Sequence, residues 1–285
     1  MSRRVLRVVL GLLILGVVVW RVGAGSVLDA LSHVGVGSIA FALVVAVPTT
    51  VCAAWRWRVV ARGLGVDVPL RTAVASYYRS QLLNATVPGG VVGDVHRGWR
   101  HGRDTGLRAV VWERASGQAV QLAVTVVVLA ALPRVLPSFG LPFLLGGLLL
   151  AGCAVLAFLP DVRRSVLARR AWPVVLVTSL VAVGGHAATF LVAANAAGVN
   201  ASLGQLLPLA LLALLAMSVP FNVVGFGPRE GVAAWSFAAV GPGAEQGVAT
   251  AVVYGVLSVI AVLPGLLVLA ADTRRRVRPL EVAHG

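Results

Sequence analysis

Asn84-Ala85-Thr86-Val87-Pro88-Gly89-Gly90-Val91-Val92-Gly93-Asp94-Val95-His96-Arg97 is the stretch on which the fold turns. A helix cannot pass Pro88-Gly89-Gly90 in register, because proline removes a backbone donor and clashes with the preceding turn, and each glycine costs about 1 kcal/mol against alanine. Upstream, Leu70, Val74, Ala75, Leu82 and Leu83 are apolar, but Arg71, Arg79, Gln81 and Asn84 lie among them. Downstream come Arg97, Arg100, Arg103 and Arg108. Basic flanks on both sides belong on the cytoplasmic face of a membrane. Residues 70–100 therefore read as a re-entrant helical hairpin, hinged at Pro88, Gly89, Gly90 and Gly93. Broken backbone at membrane depth is tolerated only where it is buried in protein or lines a wet cavity.

Composition supports a membrane setting. The 285 residues are 59% hydrophobic and 12% charged, with a mean hydropathy of +0.93. A soluble domain carries about 25% charged residues, so neither an ordinary soluble enzyme nor a disordered chain fits. The net charge of +14 would suggest nucleic acid on a soluble protein. Here it reads as orientation, and no nucleic-acid partner is expected. All 24 basic residues are arginine. Cys52 and Cys153 fall in apolar segments and read as small core residues.

A span needs about 20 apolar residues. Residues 5–20 read as an uncleaved first span rather than a signal peptide, since the apolar run is long and Arg21 follows it directly. Residues 36–54 form a second span, with Trp55, Arg56, Trp57 and Arg58 as an interfacial stop. Further spans are expected at 115–135, 142–159, 173–196 and 247–271. A second interrupted segment covers 205–241, broken at Pro220-Phe221-Asn222 and again around Gly225-Phe226-Gly227-Pro228-Arg229-Glu230-Gly231. With both termini cytoplasmic, 20 of the 24 arginines fall inside. The expected fold is an all-α polytopic membrane protein of about six transmembrane helices plus two re-entrant helical hairpins. The first half, 1–135, and the second, 136–285, repeat the order span, span, hairpin, span, with the second half inverted. Inverted repeats with discontinuous helices are a transporter signature.

At the two interruptions the sequence resembles a known family. Pro88-Gly89-Gly90-Val91-Val92-Gly93-Asp94-Val95-His96-Arg97 is similar to the "PGG.GGD..R" signature of the lysylphosphatidylglycerol synthase transmembrane family, with Val92 where that family often has glycine. The segment 225–231 resembles its second signature, "G.G.REG", and Trp112-Glu113-Arg114 its intervening "ER". The resemblance spans nearly the whole chain. It implies the flippase module of the multiple peptide resistance factor type, which moves aminoacylated phosphatidylglycerol between leaflets, and it marks Asp94, Arg114 and Glu230 as sensitive charges. Only 14 residues follow Ala271, so no aminoacyl-transferase domain is expected and the chain is not expected to be an enzyme.

Ionisable groups in a membrane cost roughly 2.5–3.5 kcal/mol each on insertion scales. The expected reading is a polar groove for a lipid headgroup. Arg79, Arg114 and Arg229 would contact phosphate. Asp94 and Glu230 would pair with a cationic headgroup, exchange arginine partners or carry a proton. Asn84, Arg97, Glu113 and Asn222 complete the substrate-binding candidates. Pro220, Gly225, Gly227, Pro228 and Gly231 are the hinges of the second segment. The alternative is structural: Pro228 and Glu230 are ordinary helix-start residues, and Asp94 and Arg97 a simple i,i+3 ion pair. His186, after Gly184-Gly185, either faces the groove or bonds a core neighbour. The tryptophans read as interfacial anchors without a substrate role. His96 and His101 lack metal-site spacing, and no P-loop or nucleophile elbow appears. No cofactor or metal is expected. The expected partners are an anionic or lipid-linked substrate, a separate lipid-modifying enzyme and a second copy of the chain, and the expected location is the plasma membrane. Transport of a polyprenyl-linked sugar or other isoprenoid lipid, or lipid presentation to a separate synthase or glycosyltransferase, is the competing function.

Overall fold

The computed structural model describes residues 32, 34–86, 90–132, 140–217 and 228–277. These form eleven helices and, among the described residues, no strand. The expected first span at 5–20 lies outside them. So do Pro88, Gly89, Pro220, Asn222, Gly225 and Gly227.

Helix α1, Val36–Gly63, runs through the expected stop at Trp55–Arg58. Nothing in that tetrapeptide breaks a helix. The chain ends the helix only where Gly65 adopts φ +87°, with the amides of Leu64 and Gly65 bonded back to Ala61 and Arg62. The interfacial reading is corrected for two of the four residues: Trp57 is 0% and Arg56 7% exposed. Pro48 is accommodated within α1, and Thr49 donates its hydroxyl to the carbonyls of Val45 and Ala46 at 3.0 Å.

Two further helices follow on either side of the first interruption: α2, Leu70–Thr86, and α3, Val92–Arg100. Gly90 takes φ +61° between them. Helix α4, Arg103–Ala131, begins earlier than the expected span at 115. Helix α5, Gly140–Leu156, covers most of the span expected at 142–159. A short α6, Pro160–Ser165, precedes α7, Trp172–Ala196.

The remaining helices are α8, Leu203–Ala216, α9, Pro228–Val240, α10, Ala244–Val262, and α11, Pro264–Val277. The span expected at 247–271 is thus two helices meeting at Pro264. Pro228 opens α9 at the first helical position, where its missing amide costs nothing.

Four segments are long and apolar enough to cross a membrane: α1, α4, α7 and Ala244–Ala270. The apolar runs in α5 and α8 are shorter. Helix α1 packs against α7 at the centre, flanked by α2, α4 and α10. Gly185 permits this: a Cβ there would strike the Thr49 methyl. A hydrophobic core of Phe190, Leu209, Phe237, Tyr254 and Leu257 joins α7 to α10.

Candidate functional site

The charged residues of the first interruption come together between α1, α2, α3 and α4. Asp94, in the first turn of α3, is 6% exposed. Its carboxylate accepts from Ser80 Oγ, Asn84 Nδ2 and Arg97 Nη2, each at 2.9 Å, and from Arg114 Nη2 at 2.5 Å. Asn84 also accepts the Gly93 amide at 2.8 Å. Gly93 is required by proximity, since a Cβ would run into the carbonyl of Ser80. This places the carboxylate against α2.

Glu113 is 0% exposed on α4. Arg56 donates to it through Nε at 3.0 Å and Nη2 at 2.6 Å, Tyr77 OH at 3.2 Å and Arg97 Nη2 at 3.1 Å. Arg97 therefore bridges the two acids with one nitrogen. Its guanidinium carbon sits 4.6 Å from the Trp57 ring centroid and 4.3 Å from that of Tyr77. The aromatic faces meet the cation where Nε and Nη1 have no hydrogen-bond partner. Arg56 completes the cluster by donating to Ser179 of α7 at 3.0 Å.

Three arginines, Arg56, Arg97 and Arg114, thus face two carboxylates, so among the described residues the cluster carries an excess positive charge. Arg79, on α2 and 6% exposed, is a further buried cation. Arg56 and Arg97 are sealed, but the Arg114 side chain is 42% exposed while still bonded to Asp94. At the mouth of α3, His101 donates its Nδ1 proton to the Arg97 carbonyl at 2.9 Å and meets Trp57 edge-on. Partial burial pushes the His101 pKa below its ordinary value.

Of the expected residues, Asn84, Asp94, Arg97, Glu113 and Arg114 meet here. Arg229 and Glu230 lie in a second cluster. They pair with each other, Arg229 Nη1 reaches Met217 Sδ at 3.9 Å, and its guanidinium carbon lies 5.4 Å from the Tyr254 ring. Gly231 sits within α9 with open space around its Cα.

Arg56, Trp57, Tyr77, Ser80 and Ser179 are site residues that the sequence reading missed. For Arg56 and Trp57 a signal existed. Thr49, Ala53, Arg56, Trp57 and Val60 follow the 3–4 spacing of one helical face, and all are buried.

The helices and the buried ion-pair cluster define a multi-pass helical membrane protein with a charged interior. A family model described as lysylphosphatidylglycerol synthase TM region matches residues 4–265. The chain belongs to that family. Searches of curated proteins and of solved structures gave no match.

Proposed function

We propose that the protein moves an anionic or aminoacylated phospholipid between the leaflets of the plasma membrane, with both termini cytoplasmic and the headgroup travelling through a polar interior. The two interrupted segments, 70–100 and 205–241, enter from opposite sides as re-entrant hairpins of an inverted repeat. The observation that carries this reading is Arg114. Its side chain is 42% exposed while its guanidinium is joined to a carboxylate, inside a cluster where the described arginines outnumber the described carboxylates. A lipid phosphate is a stronger bidentate partner for guanidinium than water. It would take over Arg114 while Arg97, Ser80 and Asn84 still satisfy Asp94. Family membership supports a lipid-related membrane role.

The test is headgroup accessibility in vesicles containing the purified protein and acyl-labelled phosphatidylglycerol or its lysyl ester. Transfer by the wild type, with loss on the order of tenfold or more in Arg114→Gln and Asp94→Asn, is the expected result. Transfer unaffected by either substitution would remove the cluster from the pathway. A purified chain that moves no lipid but copurifies with an acyl- or glycosyl-transferring enzyme would identify a presenting partner instead.

A further inference from the structure

His186 stands on the face of α7 defined by Ser179, Val183, Phe190 and Ala193, one and two turns away in each direction. Those four are buried, yet His186 is exposed. An exposed ring on an inward face means accessible space within the helix bundle. Arg114 and Arg56 are both within electrostatic range of it.

The depth of this space follows from helix register. Arg56 bonds Glu113 of α4 and Ser179 of α7, which puts these two at one level. Leu129, near the end of α4, shares a core with Ala193 and Ala194 near the end of α7. The two helices therefore run in the same direction. Gln121 and His186 consequently lie at similar height, two turns beyond the charged cluster. Arg114, Gln118, Gln121 and Thr125 occupy one stripe of α4, rising over about 16 Å. The Gln121 Nε2 is shut off from solvent and has no hydrogen-bond partner. A buried unpaired donor in a membrane protein is costly, and a transient acceptor would satisfy it.

The far wall is Tyr254 of α10, 1% exposed, whose hydroxyl meets His186 Nδ1 at 3.1 Å. A phenol that donates its proton to Nδ1 leaves the imidazole carrying its own proton on Nε2, free to donate. The guanidinium carbon of Arg229, in the second cluster, lies 5.4 Å from the Tyr254 ring centroid.

We propose that His186 and Tyr254 form a second phosphate-contact site, intermediate between Arg114 and Arg229, where imidazole Nε2–H hydrogen-bonds the phosphate of an anionic lipid. The inference rests on the transport reading and adds a place to it. The ligand class is a phosphate monoanion, met by donors rather than by a fixed positive charge, which lets it leave again.

The experiment replaces His186 with cysteine in a Cys52→Ala, Cys153→Ala background and follows reaction with a membrane-impermeant thiol reagent. Val127→Cys, on an exposed face of α4, serves as the lipid-facing control. In phosphatidylcholine vesicles His186→Cys should react and Val127→Cys should not. Adding phosphatidylglycerol to the bilayer should slow the reaction several-fold. Glycerol phosphate in solution should not. No reaction, or reaction indifferent to phosphatidylglycerol, overturns the proposal. Slowing by glycerol phosphate alone overturns the lipid as occupant. Separately, Tyr254→Phe, which frees Nδ1 from its donor, should slow phosphatidylglycerol transfer about tenfold, and a rate equal to the wild type counts against the site. If the wild type itself transfers nothing, the transport reading fails while thiol protection still decides whether phosphate sits at His186.

Discussion

Glu113 holds two buried guanidinium groups, and its removal is the most damaging single change the cluster offers. Glu113→Ala leaves Arg56 without its carboxylate and Arg97 with Asp94 alone, which costs about 3–5 kcal/mol for a buried ion pair broken on one side. Thermal unfolding in detergent should register it as a large fall in Tm or as loss of the monodisperse species. Removing charge from both sides, as in Arg56→Met with Glu113→Leu, should recover part of that loss, because well-packed apolar replacements are often neutral. Asp94→Asn should be milder for stability, since the Ser80 donor and the backbone placement of α3 persist. The pair separates a fold-maintaining acid from one available for exchange. Sequence alone assigned Asp94 and Glu113 to one functional group, and nothing in their spacing reveals that one is sealed and the other adjoins an accessible arginine.

At the level of elements, the interrupted segment works through close contact as much as through freedom of the backbone. Gly93 lets α3 lie against the Ser80 carbonyl, and Gly117 of α4 lies against the Arg56 guanidinium. Gly93→Ala should cost about 1–3 kcal/mol by overpacking and displace Asp94 from Asn84. Gly231→Ala meets no neighbour among the described residues and should be neutral or stabilise α9 by up to about 1 kcal/mol. Comparing the two by unfolding midpoint checks this directly. A transport defect in Gly231→Ala with an undiminished midpoint would then report on motion. The break after Thr86, the bounds of α7 and the apolar run of α8 were legible because proline, glycine and hydropathy act locally. The length of α1 was not. Trp55–Arg58 looks like a membrane boundary in one dimension, and only the packing of α2, α3 and α4 around that turn makes Arg56 and Trp57 interior.

Across the whole molecule, the arginine clasp between Arg108 at the start of α4 and Asp161 of α6 ties the segment around α6 to the bundle, with Trp112 Nε1 donating to the same carboxylate at 3.4 Å. Its hydrogen bond from Arg108 holds Asp161 below the usual carboxylate pKa. A depressed folded-state pKa contributes stability above the unfolded value, and that contribution is lost as pH falls through the folded value. Asp161→Asn should therefore lower Tm slightly at pH 7, and the difference from wild type should close in strongly acidic buffer. The effect is small because the arginine side is 55% exposed. The two clusters, one around Asp94 and Glu113 and one around Arg229 and Glu230, were each visible as charged motifs. His186 was singled out from the sequence as either facing the groove or bonding a core neighbour, but Tyr254 and Gln121 were not, because they lie on other helices far from it in the chain.

Arg97 gives one nitrogen to both acids and stacks its plane between two rings on different helices. No rearrangement can draw it away without stripping four neighbours at once. Alternation between inward- and outward-open shapes, if the protein cycles, must therefore hinge around this immobile post, with Arg114 as the swinging arm.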